Sequence, residues 1–346
     1  MNFLLLSAII NLGGQKMDNM NNGLYLLQKF RDTLFTNTLA CTQQHIGKKI
    51  QGQVYTPQQA KKDAVFLVNT SLKFIENLST TGLIDNNVFE RVIKNLSHNV
   101  KTIDFLPENE RGIFGQSVAE EQKVYINPDM PKGKRILYLF HELTHCCFKN
   151  RNTAPYIGDY MRHSTYYGYM TIEEALAQNI AETCYYAYTG QQKPQKRLER
   201  DRIMPNIQYY TNFDYYGLYQ PLAAAFGRVL RGVGTSNRDS DDKILFDLSK
   251  KALREDLLES VINEYQRDGI LEDLEPMFFA LANIYAAKKM SFGMGGVQEK
   301  VFDKNQQLVA EKNLQPSLEQ TQEYYIKALN IMKKNEDYRQ PLTPFR

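Results

Sequence analysis

The sequence contains no tryptophan, four cysteines and only five histidines in 346 residues. Four cysteines without a regular spacing provide no disulfide framework, so the composition favours a reducing compartment and predicts a cytoplasmic location. Small buried hydrophobic side chains are the favoured role for these thiols, and zinc ligation is the alternative. They are Cys41, Cys146, Cys147 and Cys184.

Neither sign of charge predominates in the chain. With 42 basic and 39 acidic residues, the net charge is +3 at pH 7. A near balance gives no argument for a nucleic-acid or anionic-membrane partner, and we expect the chain to bind neither. A hydrophobic fraction of 42% is sufficient for a substantial core.

The sequence also lacks an apolar run long enough to cross a bilayer. Residues 1–10 are apolar but short, and they lack the basic segment that begins a signal peptide. We interpret residues 1–17 as an apolar leader, or as a segment that precedes a natural start at Met17. Export by another route stays open.

One motif stands out against this background: His141-Glu142-Leu143-Thr144-His145, the H-E-x-x-H pattern. Residues four apart share one face of a helix, so both imidazoles can reach one zinc ion while Glu142 points at a water bound to it. The flanking residues are apolar, which predicts a buried helix. The alternative is a buried helix whose histidines are only hydrogen-bonded.

The pattern around the motif predicts four regions. Residues 1–17 form the leader, 18–100 an N-terminal helical region, 101–190 the catalytic core and 191–346 a C-terminal helical region. Helices are predicted at 18–46, 58–78, 88–96, 171–188, 221–230, 241–266, 271–288 and 316–334. Residues 290–296 are glycine-rich but have neither the preceding strand nor the lysine of a phosphate loop, so a linker is predicted.

Three short strands are predicted immediately before the motif helix, at 101–106, 113–119 and 123–127. Residues 150–169 are predicted to be a loop. The last strand is expected at the edge of its sheet, where unpaired backbone groups could align an extended peptide.

A catalytic zinc site needs a third protein ligand besides His141 and His145. A metzincin would have histidine where this chain has Arg151, so that class is excluded. The residues leave two sources open: a glutamate of the 171–188 helix, or Asp159 and His163 in the preceding loop.

The motif and the Glu-Ala-Leu-Ala-Gln segment after it resemble the gluzincin branch of the zincin metallopeptidases, over about 70 residues. This resemblance implies that Glu174 is the third zinc ligand and that Gln178, one turn later, orients a zinc-binding histidine. Glu173 is the alternative ligand, and a capping box between Thr171 and Glu174 is the alternative role for Glu174.

The resemblance implies a predominantly helical α+β fold of zincin type. A small mixed or antiparallel sheet would pack on the active-site helix, followed by a helical C-terminal part. It implies a Zn²⁺ cofactor and Glu142 as the general base. A downstream histidine is missing, so the oxyanion would need another donor. The candidates are Tyr209, Tyr210, Tyr215, Tyr216, Arg228, His163 and Tyr166.

The predicted function is a zinc metallopeptidase that acts on a peptide or protein. Two alternatives remain: a zincin-shaped binding or scaffold protein without turnover, and a zinc hydrolase of a non-peptide amide. Substrate specificity and oligomeric state are not indicated by the sequence.

Overall fold

The computed structural model describes residues 17–148, 154–193, 215–231, 233 and 240–339. In these ranges the chain is predominantly helical, with two-, three- and four-stranded sheets. The predicted α+β class with a helical majority is therefore confirmed.

Contacts divide the chain into two compact units. Unit 1 comprises Met1–Asn150 and Ile180–Pro194, and unit 2 comprises Arg151–Asn179 and Gln195–Arg346. Each unit is described by itself. The sequence-based division into four regions stays a prediction.

Unit 1 contains helices that flank a three-stranded sheet and a short hairpin. Its described elements are α1 (Met17–Gln43), β1 (Lys49–Ile50), β2 (Gln53–Val54), α2 (Pro57–Thr80), α3 (Asn86–Asn99), β3 (Thr102–Phe105), β4 (Gly115–Val118), β5 (Lys123–Ile126), α4 (Lys132–Cys147) and the end of α5 (His163–Thr189).

Local sequence signals fix the starts of two of these helices. Thr56 and Gln59 form a capping box at the start of α2, where Pro57 occupies the first turn. Asp85 accepts hydrogen bonds from the backbone N–H groups of Asn87 and Val88 and caps α3. The three predicted helices of this region are confirmed within a few residues at most boundaries.

The three-stranded sheet has the order β3-β5-β4, and this order corrects the predicted edge strand. β5 lies in the centre, parallel to β3 and antiparallel to β4. Two of its side chains, Val124 and Ile126, are buried. Because β5 pairs on both sides, it has no free backbone edge, and β3 and β4 are the edge strands of this sheet.

Two asparagines of α3 hold the end of the motif helix α4. Asn95 Nδ2 donates to the carbonyl oxygen of Cys147 at 2.7 Å, and Asn99 Nδ2 donates to that of Cys146 at 3.0 Å. Carbonyl groups in the last turn of a helix have no partner within the helix. The two amides satisfy them and fix α4 against α3.

In the residues that the structure describes, unit 2 combines a four-stranded sheet with five helices and the first part of α5. Its other described elements are β6 (Tyr156–Ile157), β7 (Tyr160–Arg162), α6 (Tyr215–Arg228), α7 (Asp241–Arg254), α8 (Leu257–Arg267), α9 (Leu274–Ser291), β8 (Val297–Phe302), β9 (Leu308–Leu314) and α10 (Leu318–Arg339).

The prediction of a loop at 150–169 is wrong for residues 154–169, the part that the structure describes. β6 and β7 pair as a hairpin, and α5 begins at His163, eight residues before the predicted start at 171. Thr171 therefore lies inside the helix, where its buried hydroxyl donates to the Leu281 carbonyl oxygen at 3.0 Å. This contact excludes the capping box that the sequence allowed for Glu174.

Two further predictions for unit 2 are corrected. The helix predicted over 241–266 is two helices, because Asp256 accepts from the Glu259 N–H and starts α8 after α7 has ended. The segment after the glycine-rich linker forms the β8–β9 hairpin, which extends β6 and β7 into a sheet of order β6-β7-β8-β9. The C-terminal region is thus helical with a sheet inserted.

We expect Asn99→Ala to lower the free energy of unfolding by about 1–3 kcal/mol, since it removes a buried hydrogen bond and leaves a small cavity. Urea unfolding measures the change. Asn87→Ala, an exposed position in the same helix, is the control and should change it by under about 0.5 kcal/mol. Equal effects of the two substitutions would contradict the role given to Asn99.

Candidate metal centre

The two motif histidines converge on one point. His141 and His145 lie one turn apart on α4, and their Nε2 atoms are 3.2 Å apart. The ring planes are inclined at 76°. His141 is 2% exposed, so its imidazole is almost completely removed from water.

This spacing fits zinc. Zinc–nitrogen bonds of about 2.0–2.1 Å in a tetrahedral arrangement place two nitrogen ligands about 3.3–3.4 Å apart. The observed 3.2 Å between the Nε2 atoms of His141 and His145 is close to that separation. Two imidazoles and a carboxylate are also a common donor set of catalytic zinc sites.

Glu174 is the carboxylate that accompanies the histidines. One ligand atom from each of His141, His145 and Glu174 lies within 4.8 Å of the others. In the described ranges, this is the one group of three or more such side chains that could hold a metal ion. The predicted ligand set is thus brought together, while its occupation by zinc stays a prediction.

Asp159 and His163, the alternative zinc ligands from the predicted loop, contact other residues. Asp159 forms an ion pair with Lys304, and its side chain is 72% exposed. The ring of His163 packs 5.6 Å from the ring of Phe302 on β8. Burial and the charge of Lys300 lower the pKa of His163, so this imidazole is neutral near pH 7. Neither residue belongs to the three-ligand group.

Within unit 2, Glu174 forms an ion pair that the sequence did not suggest. Lys288 Nζ on α9 lies 3.0 Å from Glu174 Oε2, and both side chains are 13% exposed. The same ammonium group lies 5.4 Å from the ring centroid of Tyr219. An ammonium group at this distance restricts the orientation of the carboxylate. Helix α9 is too far along the chain for any local pattern to indicate the pair.

Gln178, the predicted orienting residue, is buried one turn after Glu174. Its position on α5 agrees with the resemblance, and its action on a histidine stays a prediction. Glu173, the alternative ligand, is half-buried and lies outside the three-ligand group.

Glu142 is buried and lies under the edge strand β4. It is 7% exposed. A Cβ atom added at Gly115 would lie 3.0 Å from Glu142 Cγ and 3.1 Å from the Tyr125 carbonyl oxygen. Glycine at this position therefore lets β4 approach the proposed base closely, a requirement that the sequence analysis missed.

Two aromatic rings flank the first histidine. Phe114, which directly precedes β4, stacks on Tyr138 with ring centroids 4.4 Å apart. Tyr138 in turn meets His141 edge-on at 6.5 Å. These contacts restrict the orientation of the His141 ring and place an exposed aromatic surface beside it.

Three of the four cysteines are buried, as predicted, whereas Cys41 is only half-buried. Cys146, Cys147 and Cys184 are buried and form no disulfide bond. Burial raises the pKa of the Cys147 and Cys184 thiols, so both stay protonated near neutral pH and are unsuited to bind zinc as thiolates.

The described residues do not single out one of the predicted oxyanion donors. Tyr209 and Tyr210 lie outside the described residues, as do the side chains of Tyr215 and Tyr216. Arg228 pairs with Asp241 at 2.6 Å. The remaining candidates pack against neighbouring rings: Tyr166 against Tyr167, and His163 against Phe302.

Comparison of the chain with protein-family models, curated proteins and solved structures finds no match. None of the described helices is both long and apolar enough to cross a membrane.

We expect about one zinc ion per chain, and its loss in His141→Ala and His145→Ala. Glu174→Gln should weaken zinc binding strongly, because a neutral amide is a poor zinc ligand, whereas Glu173→Gln should change it little. Chelator competition on the four variants measures the affinities. Full zinc occupancy in both histidine variants would refute the metal centre.

Proposed function

We propose that the chain is a zinc-dependent metallopeptidase of the gluzincin type, with a zincin-like catalytic core. The observation that carries this proposal is the convergence of His141, His145 and Glu174. Glu142 lies buried on the same helix. A purely structural zinc site needs no additional carboxylate, so Glu142 favours catalysis.

The residues take the following roles. His141, His145 and Glu174 would hold zinc, which when bound supplies a Lewis acid and a water whose pKa falls toward about 7. Glu142 accepts a proton from water and delivers it to the leaving amine. The buried position of Glu142 keeps bulk water from competing for that proton.

The unpaired edge of β4 favours a peptide as the substrate. Its partner β5 covers one side, and the other side is unpaired within the described sheet. An extended peptide can add to such an edge through backbone hydrogen bonds. Gly115 brings this edge within contact distance of Glu142, which would place a bound peptide beside the proposed base.

One observation favours the non-catalytic alternative. The ion pair with Lys288 balances the charge of Glu174 without any metal. The cluster could therefore be stable as a polar contact within a binding or scaffold protein. Hydrolysis of a non-peptide amide by the same residues is the other alternative. Hydrolysis by the wild type but not by Glu142→Gln would distinguish an enzyme from a binding protein. Digestion of a peptide library would distinguish a peptidase from a hydrolase of non-peptide amides. We also propose a cytoplasmic location for the chain.

We expect Glu142→Gln to retain zinc and fold while the rate of peptide hydrolysis falls by at least about 10²–10⁴-fold, because the amide cannot accept a proton. Digestion of a peptide library, with zinc content measured in parallel, tests this. The exposed Glu120→Gln is the matched control and should retain full activity. Loss of zinc in Glu142→Gln would instead make Glu142 a ligand.

We expect Gly115→Ala to lower kcat more than it raises KM. The added methyl group meets Glu142 Cγ at 3.0 Å and so displaces the base. The required shift is a few tenths of an ångström, so the loss of rate should be smaller than the about 10²-fold that a displacement of about 1 Å can cost. Gly112→Ala, where a Cβ meets nothing within 4 Å, is the control. Unchanged kcat in Gly115→Ala would show that β4 does not position Glu142.

A further inference from the structure

Unit 1 contains a cavity of about 820 Å³ at the start of α4. The β1–β2 hairpin, the segment after β3 and the first turn of α4 form its walls. Lys132, at the start of α4, precedes His141 by nine residues, or about 14 Å of helix axis. The charged side chains that line this basic cavity are Lys49, Glu108, Arg111, Asp129, Lys132 and Arg135.

Positive charge in the basic cavity is only partly balanced. Arg111 pairs with Asp129, with 3.1 Å between Nη1 and Oδ2. For Lys49, Lys132 and Arg135, no carboxylate of the described residues lies within ion-pair distance. Glu108 is then the one remaining acid among the lining residues, so the cavity carries an excess of about two positive charges.

The first turn of α4 adds to this positive potential. Pro131 provides no side-chain cap, and the turn contains no acidic residue. It contains Lys132 and Lys134 instead. The N-terminus of a helix carries a partial positive charge and unpaired N–H groups, which favour anions and disfavour cations. Lysines at this end are therefore in an unfavourable field unless an anion joins them.

Neighbouring side chains hold the cations in place. The ring of Phe66 lies 5.4 Å from Lys132 Nζ and 5.7 Å from Arg135 Cζ. Arg135 Nε is buried and has no hydrogen-bond partner among the described residues. The Arg135 side chain as a whole is half-buried, so its Nε–H is available to an acceptor that enters the cavity.

The turn of the β1–β2 hairpin forms the wall of the cavity opposite α4. Gln51 adopts a positive φ of 52°, and its backbone N–H donates to Asp129 Oδ1 at 3.2 Å. Its side-chain amide donates to the Pro128 carbonyl oxygen. These bonds tie the turn to the segment before α4 and fix the position of Asp129, the partner of Arg111.

We propose that the basic cavity binds the phosphate group of a small phosphorylated molecule. A phosphate monoester carries a charge of about −1.5 to −2 at pH 7, which matches the excess positive charge, whereas a carboxylate carries about half as much. Helix N–H groups, lysines and an arginine are the donors that bind phosphate in proteins. The volume exceeds that of phosphate alone and leaves room for the remainder of the ligand. This inference does not depend on peptidase activity.

Calorimetric titration of the full chain with inorganic phosphate and with glucose 6-phosphate tests the proposal. Ionic strength is held constant with sodium chloride, and glucose and acetate are the control ligands. We expect saturable one-site binding that weakens at least about tenfold in Lys132→Met. Lys134→Met is the matched control. Lys134 has the same charge in the same turn, contacts the ring of Phe114 and does not line the cavity, so its loss should weaken binding much less than the loss of Lys132.

Three results would overturn the assignment: no saturable binding of either phosphate compound, equal weakening in Lys132→Met and Lys134→Met, or binding of acetate as tight as that of phosphate. Lys49→Met, on the hairpin, replaces Lys132→Met if the latter fails to fold, and it should weaken binding in the same way. Retained binding in His141→Ala separates the basic cavity from the proposed zinc site.

Discussion

The site depends on two imidazoles that share one face of a buried helix. An isolated polar group in such a position costs a few kcal/mol. His141 and His145 reduce that cost by facing each other at a separation suited to a metal ion. The helical backbone sets this separation, and packing fixes where α4 lies in unit 1: Phe140 contacts Phe74 of α2 with ring centroids 5.3 Å apart. A shift of α4 would change the position of both rings together.

Polar contacts from neighbouring elements determine where α4 ends and what covers it. Asn95 and Asn99 bind the last carbonyl groups of the helix, so its C-terminus is held by side chains rather than by water. At the middle of the helix, Gly115 lets the edge strand β4 approach Glu142. At the start, the absence of a cap and the lysines of the first turn create a positive end. One helix thus has three different chemical environments along its length.

The carboxylate of Glu174 illustrates how a site residue can have a second role. Its ion pair with Lys288 belongs to unit 2 and ties α5 to α9. A buried ion pair contributes little net stability after desolvation, but it restricts the geometry of the groups that form it. The contact restricts the carboxylate, which would lower the entropy cost of binding the proposed zinc ion.

The sequence by itself determined the motif, the helical majority and most helix positions in unit 1. Local rules suffice for these, because helical period and capping act over a few residues. Glu174 was implied as a ligand only by the resemblance to gluzincins, and its closeness to His141 and His145 is a tertiary feature. Tertiary structure decided the rest. It placed β5 in the centre of its sheet, and it extended α5 back to His163 by packing Thr171 against Leu281. Strand order and the partners of buried polar groups are set by contacts between distant residues, and a local pattern carries no information about those contacts.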